Sequence, residues 1–301
     1  MTDATITPPT ATAPVTARAW RMIRSQPAPL MVGLVILLPF LVFAAFPGLL
    51  APYRPLSIIA KPLLGPSHKY LLGTDEIGRD LLSRCIYAAR TDIFVSLASA
   101  FVAFTVGTIV GLSSGYVGGR SDTFTMRVID VLLSFPTIVL ALFLITIFGR
   151  GQWVQILAIA LVMMPSTARF SRGEGLVLRS RGYVEASRIS GGSRVQILRR
   201  HVLPNSLPTM LVAASVLASS AVLISASLSY LGLGAQPPDP SWGNMLRSAY
   251  AQVFDAPWYG VGPGVCISLV AGAYVLIGEG LRRKFRSDRN LGSFSRAVGG
   301  L

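Results

Sequence analysis

The sequence predicts an all-α polytopic membrane protein with six transmembrane helices, and both its composition and its apolar runs support this class. Hydrophobic residues make up 52% of the chain and charged residues only 13%, and the mean hydropathy is +0.58. Such a composition is typical of membrane proteins and excludes an ordinary soluble domain of 301 residues. Six apolar runs are long enough for helices that cross about 30 Å of hydrocarbon. They lie near residues 30–50, 93–117, 128–148, 152–170, 207–231 and 260–281.

Positive charge predicts the orientation of these spans. An even number of spans places both termini on the same side of the membrane. Most of the 27 lysine and arginine residues fall in the two tails and in the segments after spans two and four. Since basic residues are enriched on the cytoplasmic side, we expect both termini to be cytoplasmic. The pI of about 10.7 is then explained by a basic membrane face, so it does not indicate a nucleic-acid partner.

The chain divides into a tail, a membrane domain and a second tail. Residues 1–29 are predicted to form a disordered cytoplasmic tail and membrane approach, because Thr, Pro and Ala dominate their first part without periodicity. The uncharged run 30–50 is too long for a cleaved signal peptide and is interpreted as an uncleaved anchor. The remaining predicted units are the membrane domain 30–281, its extracytoplasmic segments 51–92 and 232–259, and a basic cytoplasmic tail 282–301.

The segment after the first span is polar and self-complementary. Its glycines permit turns, and its acids stand beside arginines. We expect Thr74 or Asp75 to cap the following helix, and the acids at 75, 76 and 80 to pair with Arg79 and Arg84. The predicted outer lip comprises Gly73, Thr74, Asp75, Gly78, Arg79 and Asp80. Anchoring span two at the membrane interface is the favoured role, and direct substrate contact is the alternative.

Glycines recur every four residues at the end of span two, at Gly107, Gly111, Gly115 and Gly119. Small residues at this spacing form a face that another helix can approach closely. We therefore interpret Gly107, Gly111 and Gly115 as helix-packing positions and not as a phosphate-binding loop.

Span five is rich in serine between residues 215 and 229. Hydroxyl groups can bond to carbonyls of their own helix or can line a wet path, and packing is the favoured interpretation. Beyond this span, three prolines within residues 232–244 predict an irregular loop at the outer end.

Between spans four and five lies a polar, arginine-rich segment, residues 172–205. Gly191–Gly192 divides it, because adjacent glycines are poor helix formers that tolerate a sharp turn. Two short helices with apolar residues such as Val195, Leu198 and Val202 at i, i+3 and i+7 would form a knob suited to a groove on a partner. A solvated basic loop that touches only lipid headgroups is the alternative.

Within this segment, the spacing of several residues resembles the cytoplasmic coupling loop of ATP-binding-cassette (ABC) importer permeases. The family pattern is Glu-Ala-Ala, three residues, Gly, nine residues, Ile, any residue, Leu-Pro. Ser187 and His201 depart from it, and the second departure is similar to peptide-transporter permeases. The resemblance implies that Gly191 is the bend, that Pro204 stops the helix before span five, and that Glu185 makes a charge contact or only an internal ion pair. The implied ATPase-coupling residues are Tyr183, Glu185, Ala186, Ser187, Gly191, His201, Leu203 and Pro204.

A second resemblance extends over roughly residues 30–281. Segment 68–84 is closely similar to the segment between the first two spans in C-type permease subunits of dipeptide and oligopeptide importers. This implies a type I ABC importer permease fold in the bacterial cytoplasmic (inner) membrane, forming half of a translocation pore. The implied partners are a homologous second permease subunit, two ABC ATPase subunits that bind ATP and Mg, an extracytoplasmic solute-binding protein and the lipid bilayer.

Other functions fit the sequence less well. The chain lacks the Gly-Lys-Ser or Gly-Lys-Thr of a phosphate-cradling loop, so it is not expected to hydrolyse ATP or to be catalytic by itself. No metal or cofactor site is expected, and Cys85 and Cys266 are expected at different membrane depths, unsuited to a disulfide. An ion-coupled secondary transporter would need ionisable groups deep in the membrane, whereas Asp130 and Glu279 stand near span ends. Among importers, the alternative cargo is nickel or another small solute.

Overall fold

A computed structural model describes residues 27–236 and 238–298, with side chains as far as residue 286. The helices are α1 (Ala28–Ala45), α2 (Pro47–Leu50), α3 (Leu81–Val117), α4 (Gly119–Leu133), α5 (Thr137–Phe148), α6 (Gln152–Arg179), α7 (Gly182–Ile189), α8 (Arg194–Ile197), α9 (Leu203–Tyr230), α10 (Trp242–Ala251) and α11 (Val261–Val298). A π-helical turn, Leu198–Val202, joins α8 to α9. The predicted all-α fold is confirmed. The disorder predicted within residues 1–26 and the end of the basic tail, 299–301, lie outside the described residues.

Five helical stretches are long and apolar enough to cross a membrane: α1, α3, α6, the continuous stretch from α8 through α9, and α11. Helices α4 and α5 are apolar enough for a sixth span only when they are counted together, and the pair is bent by 88° at the break between them. The single third span predicted over 128–148 is therefore wrong in shape. Pro136 gives the reason, because it has no N–H and disfavours helical backbone at Phe135, so that α5 starts only after the proline.

Helix α3 begins at Leu81, within the segment expected to be extracytoplasmic. Asp80 is its N-cap, because the carboxylate accepts a hydrogen bond of 2.7 Å from the N–H of Ser83. The prediction that Thr74 or Asp75 caps this helix is wrong. The Thr74 hydroxyl instead donates to the carbonyl of Lys61 at 2.8 Å, which ties the outer segment to itself.

Helices α3 and α6 pack along a stripe of glycines. A methyl group at Gly107 would lie 2.7 Å from Cβ of Thr167, and one at Gly111 or Gly115 would overlap backbone carbonyl oxygens of α6. The two backbones therefore touch at these three positions, as small residues allow. Gly119 does not extend the stripe: its surroundings are open, and its φ of 70° belongs to the turn that starts α4.

The buried apolar residues form two clusters. The larger one lies among the membrane helices and includes Leu81, Ile145, Ile159, Leu228 and Trp242. The smaller one lies where α3 and α6 end, beneath residues 172–205. The segment after α6 thus has a core of its own.

The segment that follows span five is more ordered than the sequence predicts. The segment 232–244, predicted to be irregular throughout, becomes helical at Trp242, because Ser241 accepts the N–H of Asn244 at 3.2 Å and so caps α10. The expectation that the two cysteines lie at different depths is also wrong. Cys85 and Cys266 each lie about one helical turn inside α3 and α11, and a methyl group added at Gly262, one turn before Cys266, would lie 3.3 Å from Sγ of Cys85.

Candidate coupling site

Residues 172–205, which we call the coupling elbow, comprise the end of α6, α7, α8 and the start of α9. The elbow buries three apolar side chains completely: Val184, Ile197 and Val202. They pack on Leu112, Tyr116 and Leu178 at the ends of α3 and α6. This small core fixes the elbow to the membrane domain, so it is not a loose basic loop.

A sharp bend in the elbow occurs at Gly191, whose φ is +82°. The N–H of Gly191 bonds to the carbonyl of Arg188 at 3.1 Å, and the N–H of Gly192 bonds to that of Ser187 at 3.0 Å. These two bonds form a Schellman motif, which satisfies the last carbonyls of α7 and requires a left-handed residue that is most often glycine. The side chain of Ser193 then caps α8 through the N–H of Gln196.

Beyond the bend, the elbow is continuous with the fifth span. The sequence predicts two short helices and a stop at Pro204, but the chain is helical from Arg194 to Tyr230. The N–H of Leu203 bonds to the carbonyl of Leu198, five residues earlier, in a π-helical turn. Such a wide turn accommodates the ring of Pro204, which would clash with a carbonyl in a regular α-helix. The predicted stop is therefore a local widening of one long helix.

The π-turn also changes which apolar residues face inward. Ile197 and Val202, which are five residues apart, are both buried, whereas Val195 is 65% exposed. The predicted apolar face of Val195, Leu198 and Val202 is therefore wrong for Val195, which points away from the buried cluster. Ile189 at the end of α7 is 81% exposed. Ile189 and Val195 are thus the most exposed large apolar side chains of the elbow, while its own core is filled.

Most residues of the predicted coupling set lie on this outer surface. Tyr183, Glu185, Ala186, Gly191, Leu203 and Pro204 are exposed, and Ser187 and His201 are partly buried. The rings of Tyr183 and His201 lie 6.2 Å apart, which connects α7 to the π-turn. The motif therefore has exposed residues on both sides of the bend, and the Tyr183–His201 contact joins the two sides.

Glu185 lies in the first turn of α7, where the helix dipole stabilises a carboxylate. Within the described part of the chain, no basic side chain lies within ion-pair distance of it. The internal pair that the sequence left open does not form there. Its carboxylate is available to a cationic partner.

An ion pair that sequence reasoning missed fixes the base of the elbow. Arg172 donates to both carboxylate oxygens of Asp122, from Nε at 2.6 Å and from a terminal nitrogen at 2.7 Å. Ser114 adds a third bond to the same carboxylate at 2.6 Å. Two parallel bonds of this kind fix orientation as well as distance. This clamp joins α4 and α6 to the end of α3, and only the folded chain brings these three residues together.

The outer lip is a second polar site, at the opposite end of the spans. Asp75 is fully buried. Its carboxylate accepts a hydrogen bond of 2.5 Å from Nε of Arg79, and the same carboxylate lies 3.5 Å from Nε of Arg84. Gly73 and Gly78 adopt positive φ at its turns. Asp80, expected to pair with an arginine, bonds instead to the hydroxyl of Ser83 at 2.7 Å, because it is committed to capping α3.

Glu76 connects the lip to the segment before α11. The hydroxyl of Tyr259 donates to it at 2.5 Å, and that of Ser248 at 3.3 Å. Burial and the hydrogen bond to Glu76 raise the pKa of Tyr259, so this hydroxyl stays protonated and keeps donating. Sequence reasoning paired Glu76 only with neighbouring arginines and missed this contact between distant segments.

A cavity of about 1020 Å³ lies between α3, α5, α6, α9 and the later part of α11. Its wall is mainly apolar, with Phe104, Met163 and Val216 among the lining residues, and its charged groups are Glu174, Arg282 and Arg286. Ser220 lines it, whereas Ser225 and Ser229 turn inward to accept from the amide of Gln155. The serines of span five thus divide between packing and the cavity wall.

A bundle of membrane-spanning helices with a rigid, exposed elbow at one end and a self-paired lip at the other has the build of a transport permease. The chain belongs to the family described as "Binding-protein-dependent transport system inner membrane component", whose model matches residues 107–287. This range contains the glycine stripe, the clamp and the whole elbow.

Curated relatives match nearly the whole length. The chain is 38% identical over 262 residues to the probable D,D-dipeptide transport system permease protein DdpC of Escherichia coli K12. This alignment covers 87% of this chain and 88% of the relative. It is 38% identical to the di/tripeptide transport system permease protein DppC of Pseudomonas aeruginosa, over 83% of this chain and 85% of the relative. It is 37% identical to the glutathione transport system permease protein GsiD of Pectobacterium atrosepticum, over 87% and 88%.

The fold is similar to that of a solved transporter chain. A structure of the MetNI methionine ABC transporter in an inward-facing conformation aligns with a TM-score of 0.55 and 23% identity, over 69% of this chain and 95% of that chain. This likeness confirms the type I importer permease fold.

Proposed function

We propose that this chain is one of two homologous permease subunits that form the pore of an ATP-driven importer for peptides. The observation that carries the proposal is the coupling elbow, whose motif residues lie outward on a segment that is braced by its own core. Family membership supports the class of transporter, and the names of the relatives support peptide cargo over nickel.

The coupling elbow is the docking surface for an ABC ATPase subunit. Ile189 and Val195 supply exposed apolar contacts, and Glu185, one helical turn before Ile189 on α7, supplies a negative charge. An apolar centre with a charged neighbour is a common arrangement at protein interfaces. Because the elbow is rigidly joined to α3, α6 and α9, movement of the ATPase would be passed to three spans.

The remaining parts of the complex follow from this assignment. Two ATPase subunits bind ATP and Mg in the cytoplasm, and an extracytoplasmic binding protein delivers cargo to the outer side. Both termini and the elbow are then cytoplasmic, as the distribution of basic residues supports. ATP binding shifts the two permeases between inward-open and outward-open arrangements only to the extent that it favours one of them.

The test compares two charge reversals at opposite ends of the molecule. Glu185→Arg changes the exposed elbow, and Asp255→Arg makes the same change on the exposed outer side. In the complete complex, Glu185→Arg should abolish ATP-dependent uptake of a labelled dipeptide and should lower recovery of the ATPase with the permease. Asp255→Arg should leave ATPase recovery unchanged.

Gly191→Pro should have the same effect as Glu185→Arg, because the left-handed bend does not fit proline. Unaltered uptake in both elbow variants, with normal amounts in the membrane, would contradict the proposed site. Labelling of a cysteine placed at position 185 from the external side would contradict the orientation. The solute that co-purifies with the binding protein tests the cargo independently.

A further inference from the structure

The chain contains only two cysteines, and the fold brings them together. Cys85 is in the second turn of α3 and Cys266 is in the second turn of α11. Both belong to one buried apolar cluster, with Cys85 inside it and Cys266 packed against it. Gly262, one turn before Cys266 on the same helix, is so close that an added methyl group would lie 3.3 Å from Sγ of Cys85. The helices thus approach each other closely at the cysteine pair.

The cysteine pair lies beneath a well-fixed junction of the outer segments. The indole N–H of Trp242 donates to the backbone carbonyl of Cys85 at 3.0 Å, and its backbone N–H donates to Asp92 at 2.7 Å. Trp242 is fully buried, and Cys85 is only 4% exposed. Trp242 thus fixes the start of α3, and the hydrogen bond from Tyr259 to Glu76 holds the segment that leads into α11. Because a disulfide needs Cα atoms within about 7 Å, such fixed proximity is the main requirement.

We propose that Cys85 and Cys266 are a redox site that forms a reversible disulfide between the outer ends of α3 and α11. The inference rests on the orientation in the proposed function, which places these helix starts on the extracytoplasmic side. Disulfides persist in that compartment, whereas thiols in the cytoplasm are kept reduced.

Burial predicts the order of the exchange steps. Cys266 is partly exposed, so its thiolate attacks one sulfur of an external disulfide, which is the oxidant, and one oxidant thiol leaves. The buried Cys85 thiolate then attacks Sγ of Cys266 and releases the second oxidant thiol. Two protein thiols become one disulfide, and the oxidant disulfide becomes two thiols, which take up the two protons. Cys85 is the resolving group, shielded from solvent until Cys266 has reacted.

The disulfide would close a loop that contains four of the six spans, the elbow and the cavity. Closing a loop restricts the unfolded chain more than the folded one, so the oxidised complex should have a higher Tm than the reduced complex. It would also hold the segments that carry the lip and α10 against the start of α11. Reduction would loosen this junction without altering the elbow.

The test traps the thiols in whole cells with acid and alkylates them with a maleimide that adds mass. In the wild-type chain of the intact complex, we expect no alkylation without reductant and two additions after reduction. Peptide mass spectrometry should find the 85 and 266 peptides linked, with the loss of two hydrogen atoms. Two additions to wild type without reductant would overturn the proposal.

Single serine variants test the order of reaction. With Cys85→Ser, Cys266 should form a mixed disulfide with oxidised glutathione, whereas with Cys266→Ser, Cys85 should stay unmodified in the folded complex. Equal modification of the two variants would overturn the assigned roles.

Thermal unfolding tests the disulfide itself. Reductant should lower the Tm of the wild-type complex to that of the double serine variant, and an unchanged Tm would contradict a disulfide between the two helices. Dipeptide uptake by the double variant tests the importer separately, since it needs no disulfide.

Discussion

The glycine contact between α3 and α6 yields a sharp prediction for Gly111→Ala. A methyl group there would overlap both the carbonyl oxygen of Ala168 and Oγ of Ser171. A carbonyl of a regular helix cannot rotate away, so the two helices would have to separate. Overpacking of this kind costs about 1–3 kcal/mol, which exceeds the gain of about 1 kcal/mol from replacing glycine in a helix. We expect net destabilisation.

Gly173→Ala is the matched control, because Gly173 lies on the exposed side of α6 and has no atom within 4 Å of the added methyl. Thermal unfolding of the purified complex in one detergent should give a lower Tm for Gly111→Ala than for wild type. Gly173→Ala should be unchanged or higher. Equal Tm values for the two variants would show that α3 and α6 do not touch at this stripe, and the packing argument would fail.

Three further outcomes follow from single contacts. Asp122→Ala should lower stability by about 1–2 kcal/mol because it removes a bidentate partner, whereas Asp130→Ala, which removes an exposed pair, should cost less than about 1 kcal/mol by the same unfolding assay. Gly191→Ala should cost about 1–2 kcal/mol at its left-handed bend and should speed tryptic cleavage of the elbow, whereas Gly182→Ala, with helical backbone, should not. Asp80→Ala should cost about 1 kcal/mol through the lost cap and should accelerate hydrogen exchange in the first turn of α3; unchanged exchange there would contradict the cap.

Composition and run length were enough to predict the spans, since membrane crossing demands long apolar segments whatever their packing. Whether a span is interrupted at a proline depends on local backbone geometry as well as on apolar length. The break at Pro136 was accessible from proline chemistry alone. Pro204 has the same chemistry but the opposite outcome, because the π-turn widens the helix around it. A single residue type therefore did not determine whether its helix breaks.

In the candidate site, too, local features were predictable from the sequence, whereas contacts between distant residues were not. The bend at Gly191 was predicted from the double glycine, and the structure forms it with a positive φ. The exposure of Glu185 suits its assigned role. The clamp of Asp122 with Arg172 was not accessible, because its partners are far apart in the chain and no local pattern pairs them. The cysteine pair was missed for the same reason.

The unbroken helix from Arg194 to Tyr230 has a mechanical consequence. Its 37 residues, at 1.5 Å rise each, form a rod of roughly 55 Å, longer than the hydrocarbon layer is thick. A sideways push on the elbow end of this helix would therefore tilt the whole rod about its contacts with neighbouring helices. The far end would swing in the opposite direction, so that one lever could open one mouth of the channel while narrowing the other.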